Sequence, residues 1–267
     1  MKNAAIIILT AIVCVSCAST RKKNELAALE KAIQITEQNK MFYAESPKTI
    51  AVMPPINRTN HVEVKEYLYT TLSSVLAEKG FYVFSPMLTM DLFQAESSYD
   101  AEQFIGSDLS KFNEVMGADA VLFTTVNKWK KYYYLTSAGV KVNIDYVLRS
   151  TKTGNTLYYQ TGDVTLDTSM DLPDAVEDIP IIGQFADMIA TAISLASTKR
   201  IKVARMCNSD GLLILNAGKY SPNHIEVSEE DLEKGNEELE KLKARRDALA
   251  QELDKKGKKS KKKKDSN

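Results

Sequence analysis

The chain reads as an α/β protein: one compact domain with a mixed sheet flanked by helices, plus a charged helical C-terminal extension. Three observations predict this. Short apolar runs at 48–53, 81–84 and 120–126 alternate with amphipathic helical stretches, the rhythm of strands joined by crossover helices. Past Val126 the apolar period falls to two, with Val140, Val142, Ile144 and Tyr146 separated by polar residues, as in half-buried antiparallel strands. From residue 226 onward the composition turns charged, which suits a solvated helix rather than a core element.

The first element is a leader. Met1-Lys2-Asn3 precedes an apolar run from Ala4 to Val15, broken only by Thr10. A positive start and about a dozen apolar residues describe a secretory signal. A bilayer span takes about 20. Cys14-Val15-Ser16-Cys17-Ala18 then resembles the bacterial lipobox, a small residue before an obligatory cysteine. Residues 1–16 are therefore expected to be removed and Cys17 to carry lipid. Several acyl chains anchor firmly, since each buried methylene contributes roughly 0.8 kcal/mol. Ala18 rather than aspartate after the cysteine favours the outer membrane, with the domain in the periplasm. Cys207 is then the only thiol left, so no intrachain disulfide and no multi-cysteine metal site is expected.

The chain carries 35 basic and 35 acidic residues. Without Lys2 and the eight lysines between Lys255 and Lys264, 26 basic residues remain, and without Asp265, 34 acidic ones. The mature body is thus about eight charges negative, with a basic tail at 255–267 expected to be disordered. Such a tail could touch phosphate, but an exported protein is not expected to meet nucleic acid.

Residues 17–46 read as a lipidated tether, partly helical, with Leu26, Leu29, Ile33 and Ile35 scattered through it. The domain occupies 47–224. Its first strand, 48–53, ends at Pro54-Pro55 because proline cannot donate to a sheet ladder. The loop 56–61 leads to a helix with Val64, Tyr67, Leu68, Thr71, Leu72, Val75 and Leu76 on one face. Asn60 with Glu63 is the expected cap, and Gly80 the expected stop. The second strand is 81–84. A short helix runs from Pro86 to Phe93, and another, capped by Ser107 or Asp108, ends at Gly117. Residues 120–126 form a central strand, and a separate strand is expected between Trp129 and Leu135. The strand at 140–146 returns through Thr153-Gly154-Asn155 into its hairpin partner at 156–166. Residues 181–196 are expected as a buried helix, and 205–220 as a short strand or loop. In the extension at 225–254, Leu232, Leu239, Leu242, Leu249 and Leu253 hold heptad positions, with Gly235 and Arg246 in the other two. This fits a short coiled coil, through which copies could associate, or a solitary helix.

No nucleophile elbow, HExxH, P-loop or GxGxxG occurs, and His61 and His224 are the only histidines. The expectation is a protein that is not an enzyme and needs no cofactor or metal. Two regions are candidates for partner binding. The loop with Asn57, Arg58, Asn60 and His61 leaves a strand and enters a helix N-terminus, where open α/β sheets bind ligands, although its polar residues also suit a plain turn and cap. Trp129, Tyr132 and Tyr134 could form an aromatic contact face or serve as core and cross-strand pairs.

Ser46-Pro47-Lys48-Thr49-Ile50-Ala51-Val52-Met53-Pro54-Pro55-Ile56-Asn57-Arg58-Thr59-Asn60 resembles the opening of a bacterial outer-membrane lipoprotein family of unknown function, the neisserial surface lipoprotein type. The blocks at 76–84 and 112–125, Trp129, and Lys152-Thr153-Gly154 also look like that family. Ala217-Gly218-Lys219-Tyr220-Ser221-Pro222-Asn223-His224 keeps its last motif with extra residues inside. The resemblance implies a fold similar to the N-terminal domain of TolB and the periplasmic domain of CsgG. It implies a non-enzymatic accessory subunit of an envelope assembly or secretion complex, with a CsgG-like lipoprotein as partner. The alternative is a regulator of a cell-wall synthase, by analogy with similar folds on long tethers.

Overall fold

Pro54 and Pro55 cut the first apolar run in two, and the sheet is built around that cut. In the computed structural model, which describes residues 2–95, 101–133, 138–167 and 199–264, strand β1 (Thr49–Val52) and strand β2 (Ile56–Asn57) both run parallel to β4 (Ala120–Tyr133). β1 pairs with Ala120 to Leu122, and β2 with Thr125 and Val126. Met53 makes the last bond before the break, donating to the Leu122 carbonyl at 2.9 Å. β3 (Tyr82–Val83) lies parallel to β1 on its other side. β5 (Ala138–Ser150) and β6 (Thr156–Asp167) complete the order β3-β1-β4-β5-β6, antiparallel from β4 onward. This is the mixed sheet flanked by helices that the sequence predicts.

Helix α2 (Val64–Glu78) buries Val64, Leu68, Thr71, Leu72, Val75 and Leu76. Gly80, at φ +84°, closes it: Gly80 donates to the Ala77 carbonyl (2.9 Å) and Phe81 to Leu76 (3.3 Å), pairing carbonyls that the helix end leaves open. The expected Asn60 cap is not made. Glu63 holds the cap position without a side-chain cap bond, because Asn57 organises the turn instead. Helix α3 spans Pro86–Ala95, a 3-10 turn Ala101–Phe104, and helix α4 Ser110–Met116. Leu109, rather than Ser107 or Asp108, holds the cap position of α4 without a side-chain cap bond, and Asp108 just before it accepts from the Ser110 amide at 3.0 Å and its hydroxyl at 2.8 Å.

Two expectations are corrected. The separate strand after Trp129 is the far half of β4, which passes through a bulge between Val126 and Lys128 and continues to Tyr133. The stretch expected as strand or loop at 205–220 opens with helix α5 (Lys199–Gly211) and continues in turns. Its buried residues are Ala204, Met206, Cys207, Asn208 and Gly211, mostly too small or too polar to show a helical period. The helix expected at 181–196 lies outside the described residues.

The sheet has two covered faces. Ile50, Val52, Leu122, Ile144, Tyr146 and Leu148 share a cluster with α2 and α5. Ala51, Met53, Val121 and Phe123 share the other with Leu109 and Ala101. Asn208 joins the layers of the first: its amide donates to the Leu68 carbonyl (3.1 Å) and the Thr71 hydroxyl (2.8 Å), and its oxygen accepts from Tyr146 (3.0 Å). Phe42, 1% exposed, belongs to the same cluster and meets the Phe81 ring edge-on. The compact unit that holds this core runs from Met41 to Glu226.

A second unit contains residues 1–40 and 227–267. Its elements are the first part of α1 (Lys2–Glu45) and α6 (Glu229–Lys264). Ser228 and Asp231 start α6 as a reciprocal capping box: the Asp231 amide donates to the Ser228 hydroxyl (3.2 Å) and the Ser228 amide to the Asp231 carboxylate (3.3 Å). The stretch read as a tether is helical, and Leu29, Ile33 and Leu239 are buried among the described residues of this unit. Lys22 pairs with Glu252, Glu25 with Arg245 (2.7 Å) and Glu37 with Lys243 (2.9 Å). Rising numbers on α1 meet falling numbers on α6, so the helices are antiparallel. Within this chain, the heptad helix has α1 as its neighbour.

Candidate functional site

The loop after β2 is held by one side chain. Asn57 accepts from the Thr59 amide (2.9 Å) and hydroxyl (2.8 Å), and its own amide donates to the His61 carbonyl (2.8 Å). The Thr59 hydroxyl in turn accepts from the His61 amide at 3.2 Å. This is a side-chain mimic of a backbone turn. Asn57 is consumed by it and is a shaping residue. What the loop presents is Arg58 and Asn60, both exposed, His61, half-buried, and Val62, 82% exposed. The Arg58 amide donates to the Val126 carbonyl (2.9 Å), tying the loop to β4. Its guanidinium pairs with Glu102 at 3.3 Å. Both partners are more than half exposed, so the pair is worth at most about 1 kcal/mol.

The aromatic candidates fare differently. Trp129 is 6% exposed and sits in the main core cluster, opposite Val142. It is a packing residue and offers no contact face. Tyr132 pairs with Gly139 in the ladder, while its side chain and the whole of Tyr134 lie outside the described residues. Topology brings the loop and Trp129 to the same stretch of β4, on either side of the bulge. Of these two, the loop is at the surface and the Trp129 ring is not.

The blocks that resemble a family do structural work. Asp119 accepts from the Lys48 and Thr49 amides (3.0 and 3.2 Å), from the Thr49 hydroxyl (3.1 Å) and from the Lys152 ammonium (2.9 Å). Burial pushes its carboxyl up, but these bonds and the Lys152 charge outweigh burial and hold it below the usual carboxylate range. Thr151 adds a hydroxyl bond to the Ala118 carbonyl (2.7 Å). One carboxylate thus pins the starts of β1 and β4 to the β5–β6 turn. The motif at 217–224 docks on the end of α2. Gly218 donates to the Lys79 carbonyl (2.8 Å) and Tyr220 to Gly80 (2.9 Å). A Cβ on Gly218 would stand 2.4 Å from the Gly80 carbonyl oxygen. His224 folds back to within 3.1 Å of the Ala217 carbonyl.

A groove between α2 and α3 escaped the sequence reading. It has a volume of about 520 Å³ and is lined by Tyr69, Ser73, Pro86, Met87 and Met90 among others. The Tyr69 hydroxyl donates across its floor to the Pro86 carbonyl (2.8 Å), and burial pushes this phenol up. Met87 and Leu88 are 75% and 50% exposed. The apolar residues of 86–93 signal a helix, but not which side of it stays open. Among the described residues, no three His, Cys, Asp or Glu side chains gather as a metal site would require. None of the described helices is long and apolar enough to cross a membrane.

The GNA1162-like lipoprotein model matches residues 39–218, about two thirds of the chain. The chain belongs to the GNA1162-like lipoprotein family. The matched span starts two residues before the body and ends eight residues before its end. A relative in this family, the lipoprotein NMB1124/NMB1162 of Neisseria meningitidis serogroup B, is 25% identical over 117 residues. That match covers 44% of this chain and 54% of the relative, so the chain spans about half the length of the curated relative it matches. Among solved structures, lipoprotein GNA1162 from Neisseria meningitidis aligns at 21% identity with a TM-score of 0.43, covering 55% of this chain and 99% of that one. The PelC dodecamer from Paraburkholderia phytofirmans aligns at 14% identity and a TM-score of 0.33, over 54% and 83%. The C-terminal domain of LpoB from Salmonella enterica aligns at 18% identity and 0.28, over 44% and 82%. The GNA1162-like body in this chain is the unit 41–226.

Proposed function

We propose that this GNA1162-like protein is a lipid-anchored, non-enzymatic accessory subunit of an envelope assembly or secretion complex. Its acyl chains sit on Cys17, its membrane is the outer membrane, its body is periplasmic, and its partner is a CsgG-like lipoprotein. The observation that carries the docking role is the loop 58–62. It exposes Arg58, Asn60 and Val62 on a backbone that Asn57 has already fixed. Preorganised contacts cost little ordering entropy on binding, and an anchor raises local concentration further. Trp129 leaves this proposal, since its ring is in the core.

The test is co-purification, from detergent-solubilised membranes after mild crosslinking, with the CsgG-like lipoprotein of the same cell. Replacing Arg58, Asn60 and Val62 by alanine should weaken recovery at least tenfold while the thermal transition stays unchanged. Undiminished recovery with a folded triple variant would rule out the loop. No recovery of that lipoprotein by the parent would rule out the partner. Anchoring is tested separately. Labelling with a fatty-acid analogue should be lost in Cys17→Ser, and equal labelling of variant and parent would refute acylation at Cys17.

A further inference from the structure

The lysines of 255–264 lie past the last heptad leucine, Leu253. Eight lysines fall in ten residues, interrupted only by Gly257 and Ser260, with no acidic residue among them. On composition alone this is a solvated tail. The antiparallel register of α1 and α6 gives it an address. Lys22 is paired with Glu252, three residues before the first of these lysines and five after Cys17. At about 1.5 Å per helical residue, Lys255 lies some 4–5 Å past that pair, and Cys17 some 7–8 Å past it in the same direction. The described helix α6 continues to Lys264 without a break. The lysine run therefore starts at the height of Cys17 and does not trail away from it.

We infer that the Lys255–Lys264 end of α6 is a second membrane attachment, a binding segment for anionic phospholipid head groups that the helix pair delivers to the surface holding the lipidated cysteine. This rests on the reading that Cys17 is acylated. The charge pattern along α6 fits the role. Its first turn carries Glu229, Glu230 and Asp231, and the following turns mix signs in pairs such as Lys234–Glu230 (2.7 Å) and Lys241–Glu237 (3.9 Å). Positive charge without neutralising acids appears only past Asp254. From Glu229 to Asp254 the helix carries ten acidic and five basic residues, so its body is net acidic and only its far end is basic. Juxtamembrane lysine clusters of four to eight bind anionic leaflets through the surface potential, which acts within a Debye length. An acyl anchor together with a basic cluster is the familiar two-signal arrangement for firm attachment. The anchor also supplies proximity, so the cluster works at high effective concentration.

The experiment uses the mature chain from residue 17 with Cys17→Ser, so that no lipid masks the tail. Vesicles of phosphatidylcholine alone and with 30 mol% phosphatidylglycerol are the probes. Binding should appear only with the anionic lipid. It should weaken at least tenfold when the eight lysines become glutamine, and at least tenfold between 0.05 and 0.5 M sodium chloride. Equal binding by the glutamine variant, or equal binding to both vesicles, would overturn the proposal. Inorganic phosphate at matched ionic strength separates the sources: displacement beyond that by chloride would mean a discrete phosphate site and overturn the surface reading.

Register is read with the lipidated protein on vesicles holding a head-group nitroxide lipid, using a fluorophore on Ser260→Cys or on Ser228→Cys. Cys207 is buried and does not compete for label. Quenching at 260 and not at 228 is expected, and equal quenching would overturn the delivery by the helix pair. Failure of acylation at Cys17 would appear in the labelling experiment alone and would leave the vesicle binding of the unlipidated chain to decide the tail.

Discussion

The body and the α1–α6 pair contain helices of ordinary sequence, yet they are held in different ways. In the body, α2, α5 and β5 close on each other around Asn208 and Tyr146, both with 0% exposure. A Cβ on Gly211 would stand 2.0 Å from the Tyr146 ring. Nothing there can shift without moving a neighbour. In the helix pair, three of the described residues are buried, and the links between the helices are ion pairs at the surface. Exposed pairs of this kind contribute about 0–1 kcal/mol each and are screened by salt. The comparison teaches that the body should tolerate changes in its surroundings and resist changes in its sequence, while the pair should do the reverse.

The largest expected effect breaks the body at its closest approach. Gly211→Ala forces a methyl into the Tyr146 ring, an overpacking that costs about 3 kcal/mol or more. Urea titration of the full chain should show a marked fall in midpoint, and a midpoint within error of the parent would show that α5 and β5 are not in this contact. Next comes Asn208→Ala. It leaves the Leu68 carbonyl and the Thr71 and Tyr146 hydroxyls short of a buried partner, and about 2–3 kcal/mol should be lost. A loss as small as that for an exposed asparagine would mean that water reaches the site.

Asp119→Asn is the intermediate case, because this carboxylate is partly exposed. It should cost about 1 kcal/mol at neutral pH, after discounting for solvent screening. Its carboxyl is held below the ordinary value in the folded state. The stability it supplies is therefore present above the unfolded value of about 3.9 and is lost as pH falls through the folded one. The gap between parent and variant should be full at pH 7 and shrink below pH 4. A gap that does not change with pH would mean that the carboxylate charge is not what pins the strands.

The smallest effect sharpens the other side of the comparison. Leu239→Ala removes a buried contact of the helix pair. Far-UV ellipticity should fall by the share of a few turns, with the midpoint of the body's thermal transition unchanged. Sodium chloride at 0.5 M should act in the same direction. A body transition that moves by more than a few degrees in either case would show that the two units fold as one.

Much of the body can be read along the chain. The α2 stripe, the Pro54-Pro55 break, Gly80 and the period of β5 are local signals, and each has one physical meaning wherever it occurs. The heptad of α6 is legible for the same reason, and the Ser228–Asp231 box was there to be read at its start. Helix α5 was not legible, because Ala204, Cys207, Asn208 and Gly211 pack by being small or by bonding, and hydrophobic periodicity detects neither. At the candidate site, the loop after β2 could be located from its polar residues and its place between strand and helix. That Asn57 is spent inside it, leaving Arg58, Asn60 and Val62 to a partner, depends on where one side chain points.

By itself, then, the sequence determined the elements whose stability is local: strand and helix periods, breaks and the order of family blocks. Only the tertiary structure decided which residues those elements spend on each other. Trp129 went to the core, Asp119 to three strand ends, and within this chain α6 has α1 as its neighbour. Burial and pairing are properties of two segments at once, and the distance between those segments is not written in either of them.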